Sequence, residues 1–220
     1  EEDFSTSANR TARLTFSTRK DGTTAERLRI GSEGNLALGG TNTSAYSNQA
    51  HLFIGGVGNL YADKSTGSGK SLSLSNNAYI NTSGNWVYRA TDKATNIYQY
   101  DGITGFRYAA SGTAGNTITW SEALRIDNSG RLLLGTTTEG HADADDFTVG
   151  TTTNSAGITI RTNTSGVGRL FFSDGTSGDA EYRGYIQYDH NNEKLALGSG
   201  GSTRLNIDNS GNVDIATGQL

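Results

Sequence analysis

A fifteen-residue phrase occurs three times in this chain and constrains its fold more than any other feature. The copies read ERLRIGSEGNLALGG at 26–40, EALRIDNSGRLLLGT at 122–136 and TRLNIDNSGNVDIAT at 203–217. In each copy, apolar residues alternate with polar ones, stop at a small-residue turn and then alternate again. Alternation with a period of two places the apolar side chains on one face of a strand. Each copy therefore predicts a β-hairpin with one apolar face.

The turn and the apolar positions keep the same frame in all three copies. In the middle copy, DNSG at 127–130 has the composition of a type I turn that is closed by a glycine at positive φ. A weaker fourth copy, YINTSGNWVYR, lies at 79–89. The apolar positions of the three strong copies form a stripe: Leu28, Ile30, Leu36, Leu38, Leu124, Ile126, Leu132, Leu134, Leu205, Ile207, Val213 and Ile215.

A hairpin of this kind does not bury its own stripe. The conformational entropy lost by ordering its residues exceeds what four aliphatic side chains return, and an isolated hairpin leaves its apolar face open to water. Either neighbouring segments of the same chain or the same stripes on other chains must cover it. The narrow stripe and its small side chains favour several copies of the chain wound around a common axis.

The composition favours short strands joined by tight turns. The chain has 30 Gly and 10 Tyr among 220 residues, and no segment keeps a helical period of 3.6. Opening strands at 12–22, 104–112 and 168–178 each precede one copy of the phrase, with a variable insert between. We therefore predict an all-β fold. Its predicted modules, each ending in a repeat hairpin, are 1–40, an aromatic-rich 41–135, and 136–220.

Several classes of protein are disfavoured by composition. The absence of Cys excludes a disulfide framework and cysteine chemistry. A net charge of −4, with both signs interspersed, argues against a nucleic-acid partner. The longest weakly apolar run, LFIGGVG at 52–58, is too short for membrane insertion. The absence of Met predicts that the sequence is a piece of a longer polypeptide.

Two local motifs resemble ligand-binding motifs, but each is explained more simply without a ligand. STGSGKSLSL at 65–74 contains the Gly-Lys-Ser of a phosphate loop, but strand-like alternation follows it where a helix is required. HADADDF at 141–147 gathers acidic residues as a cation site would, yet it fits a solvated linker between modules better. The three His lack the paired spacing of a zinc site. We predict no metal, no cofactor and no catalytic residue.

Aromatic residues are the best indication of a binding site in this sequence. They crowd the middle and last inserts, and sugar rings stack on exposed aromatic faces. The competing interpretation is that each of them fills a small core. The predicted glycan-binding residues are Trp86, Tyr88, Tyr98, Tyr100, Tyr182 and Tyr185.

The repeated phrase also resembles a known family. ERLRIGSEGNLALG and EALRIDNSGRLLLG are similar to a segment repeated in tail fibres and tailspikes of tailed bacteriophages. Residues 168–215 resemble the module that precedes the C-terminal intramolecular chaperone of the endosialidase type. The resemblance implies an elongated, intertwined homotrimeric fibre on the outside of a virion, with the stripe as its trimer core. Its partners would be other fibre segments and a chaperone that this sequence does not include.

The expected function is that of a structural and receptor-binding segment of a phage tail fibre, which attaches to a host-cell surface glycan and is not an enzyme. The first alternative is a glycan-cleaving tailspike depolymerase, because some related tailspikes cut glycans and the 22 acidic residues leave room for a catalytic pair. The second alternative is a cellular adhesin, for which these residues provide no anchor.

Overall fold

Strands dominate the structure, a computed structural model, and the prediction of an all-β fold is confirmed. None of the helices in the described residues is long and apolar enough to cross a membrane. The chain divides into two compact units, of which the first ends at Gly157 and the second begins at Ile158. The residues that the structure describes are 12–41, 43, 45–151 and 153–216.

The first unit consists of an eleven-stranded sheet and a separate two-stranded hairpin. Its strands are β1 (Leu14–Lys20), β2 (Thr23–Ile30), β3 (Leu36–Leu38), β4 (Gln49–Ile54), β5 (Gly58–Asp63), β6 (Ser71–Asn76), β7 (Ala78–Ile80), β8 (Trp86–Tyr88), β9 (Asp92–Tyr100), β10 (Ile103–Gly112), β11 (Ser121–Ile126), β12 (Leu132–Leu134) and β13 (Phe147–Val149). The sheet follows chain order, except that β6 pairs with β9 while β7 and β8 pair with each other.

Most neighbouring strands of this sheet are antiparallel, but two pairs are parallel. These are β3 with β4 and β12 with β13, and in each pair the last strand of a copy of the repeated phrase pairs with the strand that follows that copy. Both parallel pairs join residues on either side of a predicted module boundary, at 40 and at 135. The division into three modules stays a prediction, and both of its boundaries lie within one continuous sheet.

The second unit has its own five-stranded sheet, which also follows chain order. One short 3-10 helix, Gly178–Tyr182, separates its first two strands. The strands are β14 (Val167–Phe172), β15 (Gly184–Asp189), β16 (Lys194–Ser199), β17 (Ser202–Ile207) and β18 (Val213–Ile215).

The turn of the repeated phrase has the same backbone hydrogen bond in all of its copies. In the middle copy, the Gly130 amide donates to the Asp127 carbonyl at 3.0 Å, and Asp127 Oδ1 accepts from the amides of Ser129 and Arg131. Gly130 has φ 84°, a left-handed conformation in which a Cβ is costly. The same carbonyl contact and positive φ recur at Gly34, Gly84 and Gly211.

A continuous apolar row crosses the first sheet from edge to edge. Directly paired residues of neighbouring strands lie on the same face, and each strand contributes one apolar residue to the row. In sheet order these are Leu14, Ile30, Leu36, Leu52, Leu60, Leu74, Ile97, Phe106, Leu124, Leu134 and Val149. We call this side of the sheet the apolar face. The eight stripe residues of the first unit, Leu28, Ile30, Leu36, Leu38, Leu124, Ile126, Leu132 and Leu134, all lie on it.

The second sheet carries a shorter row of the same kind. It consists of Leu170, Ile186, Leu197, Leu205 and Ile215. Ile207 and Val213 of the stripe are paired with each other on the same face, two residues along their strands from the pair of Leu205 and Ile215. Many residues of both rows are exposed within the single chain. Ile215, for example, is 64% exposed.

The buried core of the first unit lies on the side opposite the apolar face. The hairpin of β7 and β8 folds onto that side and packs against small residues of the sheet, which leave room for it. One cluster consists of Ala78, Tyr88, Ala94, Ala109 and Ile118, with Trp86 and Trp120 at its margin. The other consists of Ala37, Ala45 and Phe53, with Tyr79 beside it. The apolar row is therefore not part of this core.

Candidate functional site

The six aromatic residues predicted to bind glycan lie in three different places. Trp86, Tyr98 and Tyr100 line one pocket on the core side of the first sheet. Tyr88 is buried, and its hydroxyl donates to the Ala110 carbonyl at 2.7 Å, so it belongs to the core. The remaining two line a smaller pocket in the second unit, and they are Tyr182 and Tyr185.

The pocket of the first unit, here named the aromatic pocket, has a volume of about 460 Å³. This lies within the range of small-molecule sites. Aromatic rings, hydroxyls and two guanidinium groups form its walls. The lining residues are Tyr61, Ser71, Ser73, Trp86, Tyr98, Tyr100, Ile103, Arg107 and Arg125.

A glycine on the neighbouring strand determines where the ring of Tyr98 lies. Gly105 is paired directly with Tyr98, and a Cβ at Gly105 would collide with that ring. The second unit repeats the arrangement with Gly198 and Tyr185. Glycine inside a strand often marks a close approach of this kind. In both units the tyrosine is therefore held flat across its neighbouring strand.

Arg107 lies at the centre of the aromatic pocket, next to the bulge that separates it from Phe106. Its Cζ is 4.7 Å from the ring centroid of Trp120 and 4.9 Å from those of Trp86 and Tyr98. Its Nε donates to Asn96 Oδ1 at 2.7 Å. Burial lowers the pKa of Arg107, although the rings favour its cationic form.

The described residues leave most of the Arg107 guanidinium without a polar partner. No carboxylate among them lies within 4.0 Å of it, and neither terminal nitrogen has a hydrogen-bond acceptor there. Arg107 is half-buried, so part of its positive charge is removed from water, and the nearby Glu122 carboxylate favours that charge only through space. This is the unusual electrostatic feature of the pocket.

Arg125, the second guanidinium of the pocket, has a carboxylate partner. It donates through Nε and Nη2 to the two carboxylate oxygens of Glu122, the latter at 2.9 Å. Glu122 also accepts the hydroxyl of Tyr98. Burial and this hydrogen bond raise the pKa of Tyr98 to about 12, so the phenol remains a neutral donor. The Glu122 carboxylate is therefore paired directly with Arg125 and acts on Arg107 only through space.

Hydroxyl groups form the wall opposite the arginines. Ser71 Oγ donates to Asp63 Oδ2 at 2.8 Å and is 3.2 Å from the Tyr61 hydroxyl. Ser73 Oγ is buried and has no hydrogen-bond partner in the part of the chain that the structure describes. The partly exposed hydroxyls of Tyr61 and Ser71 are therefore the ones that this wall offers to a polar ligand.

The pocket of the second unit is smaller, at about 300 Å³, and differs in its charge. It is lined by Arg169, Phe171, Tyr182, Tyr185, Gln187 and Gly201. The hydroxyl of Tyr185 is 2.6 Å from Thr203 Oγ1, and Tyr182 donates to Asp179 Oδ1 at 2.9 Å. Thr203 occupies the place in the repeated phrase that Glu122 holds in the middle copy.

The acidic motif at 141–147 is tied to the middle turn by an arginine. Arg131 contacts Asp127 at 2.7 Å, Asp145 at 3.0 Å and Glu139 at 3.5 Å. Among the described residues no group of three or more side chains is arranged to hold a metal ion. The Gly-Lys-Ser motif likewise leads into strand β6, which begins at Ser71, and not into a helix.

Sequence reasoning missed Arg107, Arg125, Tyr61 and Ser73, four of the residues that give the pocket its chemistry. The segment TGFRYAASG contains the signal for one of them, since alternation places Arg107 on the face opposite Phe106 and Tyr108. What the segment does not contain is the identity of the residues on the neighbouring strands.

Comparison with known proteins does not assign the chain to a family. No protein-family model matches it, and no curated protein sequence does so either. Its function is therefore argued from the apolar face and the aromatic pocket.

Proposed function

We propose that this chain is a structural and receptor-binding segment of a bacteriophage tail fibre. Three copies associate through their apolar faces into an elongated fibre on the outside of the virion, and that fibre attaches to a glycan of the host-cell surface. The observation that carries the proposal is the apolar row, in which every strand of an eleven-stranded sheet presents an apolar residue away from the core.

The size of the row supports a protein partner. Neighbouring strands are separated by about 4.8 Å, so ten spacings extend the row over about 48 Å. Leu74 and Ile97, near the middle of the row, are 49% and 42% exposed in the single chain. Apolar patches of this extent mark interfaces on soluble proteins. A surface with the same length and chemistry is present on every other copy of the chain, and a closed symmetric assembly covers all of the copies at once.

The number three comes from the resemblance of the repeated phrase to phage fibres. The turn geometry at Gly34, Gly130 and Gly211 agrees with that resemblance, because each copy folds back at the same position. Each turn therefore returns the chain along the apolar side of its own sheet.

The aromatic pocket supports the receptor-binding part of the proposal. Side chains alternate across a sheet, so Tyr98 and Arg107 lie on the side opposite Ile97 and Phe106. Association through the apolar face leaves that side directed outward. A host glycan can then reach aromatic rings that stack on sugars and hydroxyls that bond to them.

Binding is favoured over glycan cleavage by the chemistry of the pocket walls. Glycoside hydrolysis generally requires two carboxyl groups beside the scissile bond. Among the described residues, the pocket lining contains no carboxylate, and nearby Glu122 is held by Arg125 and Tyr98. Release of reducing ends from several host surface polysaccharides would contradict the proposal and favour the depolymerase alternative.

The first test is the absolute mass in solution, measured by light scattering and sedimentation velocity. We expect an elongated particle close to three times 23.2 kDa. A compact particle of 23.2 kDa would show that the apolar face is covered within one chain, and the fibre proposal would fail.

A further inference from the structure

We propose that the aromatic pocket binds a carboxylate-bearing sugar, a hexuronate within a glycan, and that Arg107 pairs with the sugar carboxylate. This inference rests on the proposed function, since it takes the ligand to be a host glycan. It adds that this glycan is negatively charged.

The environment of Arg107 provides the first reason. Aromatic rings of Trp86, Tyr98 and Trp120 lie within 5 Å of its Cζ, and its one described hydrogen bond goes to the neutral amide of Asn96. Cation–π contacts offset part of the cost of removing the charge from water. They do not engage the terminal N–H groups in the guanidinium plane. Those groups form the fork that matches a carboxylate through two parallel hydrogen bonds.

The second guanidinium of the same pocket shows what a completed pair looks like here. Arg125 has its carboxylate in Glu122, which it contacts through two nitrogens. Arg107 has no such partner among the described residues. A bound anion would therefore pair with Arg107, because Arg125 is already neutralised.

The rest of the pocket fits the sugar ring rather than a bare anion. Tyr100 lies at the opening, 48% exposed, and offers a face on which a pyranose can stack. The Tyr61 hydroxyl and Ser71 Oγ, 3.2 Å apart, lie on the wall of the pocket where they can bond to sugar hydroxyls. A volume of about 460 Å³ exceeds what a lone carboxylate needs. Stacking, hydroxyl contacts and one cation together specify an acidic sugar.

The experiment uses tryptophan fluorescence, because both tryptophans of the chain, Trp86 and Trp120, contact Arg107. Galacturonate hexasaccharide and its fully methyl-esterified form are titrated into the full chain. Hyaluronan oligosaccharide and its methyl ester provide a glucuronate pair. Each ester keeps the size of its acid and lacks the charge. We expect at least one acid to bind about 10-fold or more tightly than its ester, as a charge-assisted pair predicts.

Variants separate the role of the charge from that of the fold. Arg107→Gln is expected to abolish the difference between acid and ester, and Arg107→Lys to keep only part of it, because an ammonium cannot pair as a fork. Arg27→Gln is the matched control, since Arg27 is exposed on β2, outside the pocket, and should leave the preference unchanged. Tyr100→Ala, at the rim, should weaken binding of the acid without unfolding the pocket.

Failure of this inference is distinguishable from failure of the proposed function. If the chain is a trimer and neither acid binds more tightly than its ester, the pocket does not recognise a carboxylate. The inference is then overturned. The same conclusion follows if Arg27→Gln lowers the preference as much as Arg107→Gln. If the chain is a compact monomer, the proposed function fails, whatever the fluorescence shows.

Discussion

Replacement of Ile97 by alanine tests the apolar row at its centre. Ile97 is the seventh of the eleven residues in the row and is paired directly with Leu74 on one side and Phe106 on the other. The side chain lies away from the core, so the substitution leaves the buried clusters of the single chain intact. We expect Ile97→Ala to weaken the trimer and to leave the sheet folded.

The expected magnitude follows from the area that only association can cover. The substitution removes three carbons, worth about 2.4 kcal/mol if fully buried, at about 0.8 kcal/mol each. Ile97 is 42% exposed in the single chain, so about 1 kcal/mol of that amount depends on contact with other copies. Three copies lose about 3 kcal/mol, which lowers the trimer association constant roughly 100-fold.

The assay is sedimentation equilibrium over a concentration series, with light scattering at each concentration. Thr82→Ala is the control, because Thr82 lies in the exposed turn between β7 and β8, away from the apolar face. Ile97→Lys should have a larger effect, since it places three ammonium groups in the apolar interface. If Ile97→Ala and Thr82→Ala give the same association constant as the unmodified chain, the row is not the interface.

Two further substitutions probe the side of the first sheet opposite the apolar face. Burial lowers the pKa of His51, so the unfolded state binds more protons and the free energy of unfolding should fall as the pH drops below about 6.5. In urea titrations from pH 8 to 5, His51→Phe should flatten this fall, and Thr82→Ala, in the exposed turn between β7 and β8, should leave it unchanged. Gly105→Ala should lower the free energy of unfolding by about 1–3 kcal/mol, because the added Cβ meets the Tyr98 ring. Gly56→Ala, whose Cβ meets no atom within 4 Å, should lower it much less in the same titrations. Equal losses would contradict the packing argument.

Local alternation in the sequence predicts which residues share a face, and here it does so well within each strand pair. Alternation predicts that Leu124 and Ile126 share a face with Leu132 and Leu134, and the structure pairs them directly. Asp127 to Gly130 form the turn that their composition indicates. Both features depend on neighbours in the chain, and a sequence reports such neighbours directly.

The extent of the apolar row was not predictable in the same way. Leu60, Leu74 and Ile97 belong to segments that we interpreted as inserts with small cores of their own. Alternation predicts which face of its own strand each of these residues occupies. It does not predict which neighbouring strand that strand pairs with. The pairing of β6 with β9 passes over the hairpin between them, so it depends on contacts distant in the chain.

The same limit explains the differing positions of the predicted aromatic residues. Tyr88 and Tyr100 look alike in sequence, yet Tyr88 is buried where the folded hairpin packs against the sheet, and Tyr100 is 48% exposed. Arg107 was missed because its importance lies in what surrounds it. Glu122 pairs with Arg125 on its own strand, and only the pairing of neighbouring strands shows that Arg107 lies among aromatic rings without a described carboxylate partner.

The two proposed roles are carried by alternate residues of the same strands, and this makes them separable. Ile97 and Phe106 lie on the apolar face, whereas Tyr98 and Arg107 lie on the other side of the same pair of strands. A slip of one residue would exchange the faces, so both roles require one register. It follows that Ile97→Ala should lower the mass at low concentration and keep the fluorescence preference for the acidic sugar at concentrations where it remains trimeric. Arg107→Gln should do the reverse. If each substitution impairs both properties, assembly builds the pocket, and binding is a property of the trimer rather than of the chain.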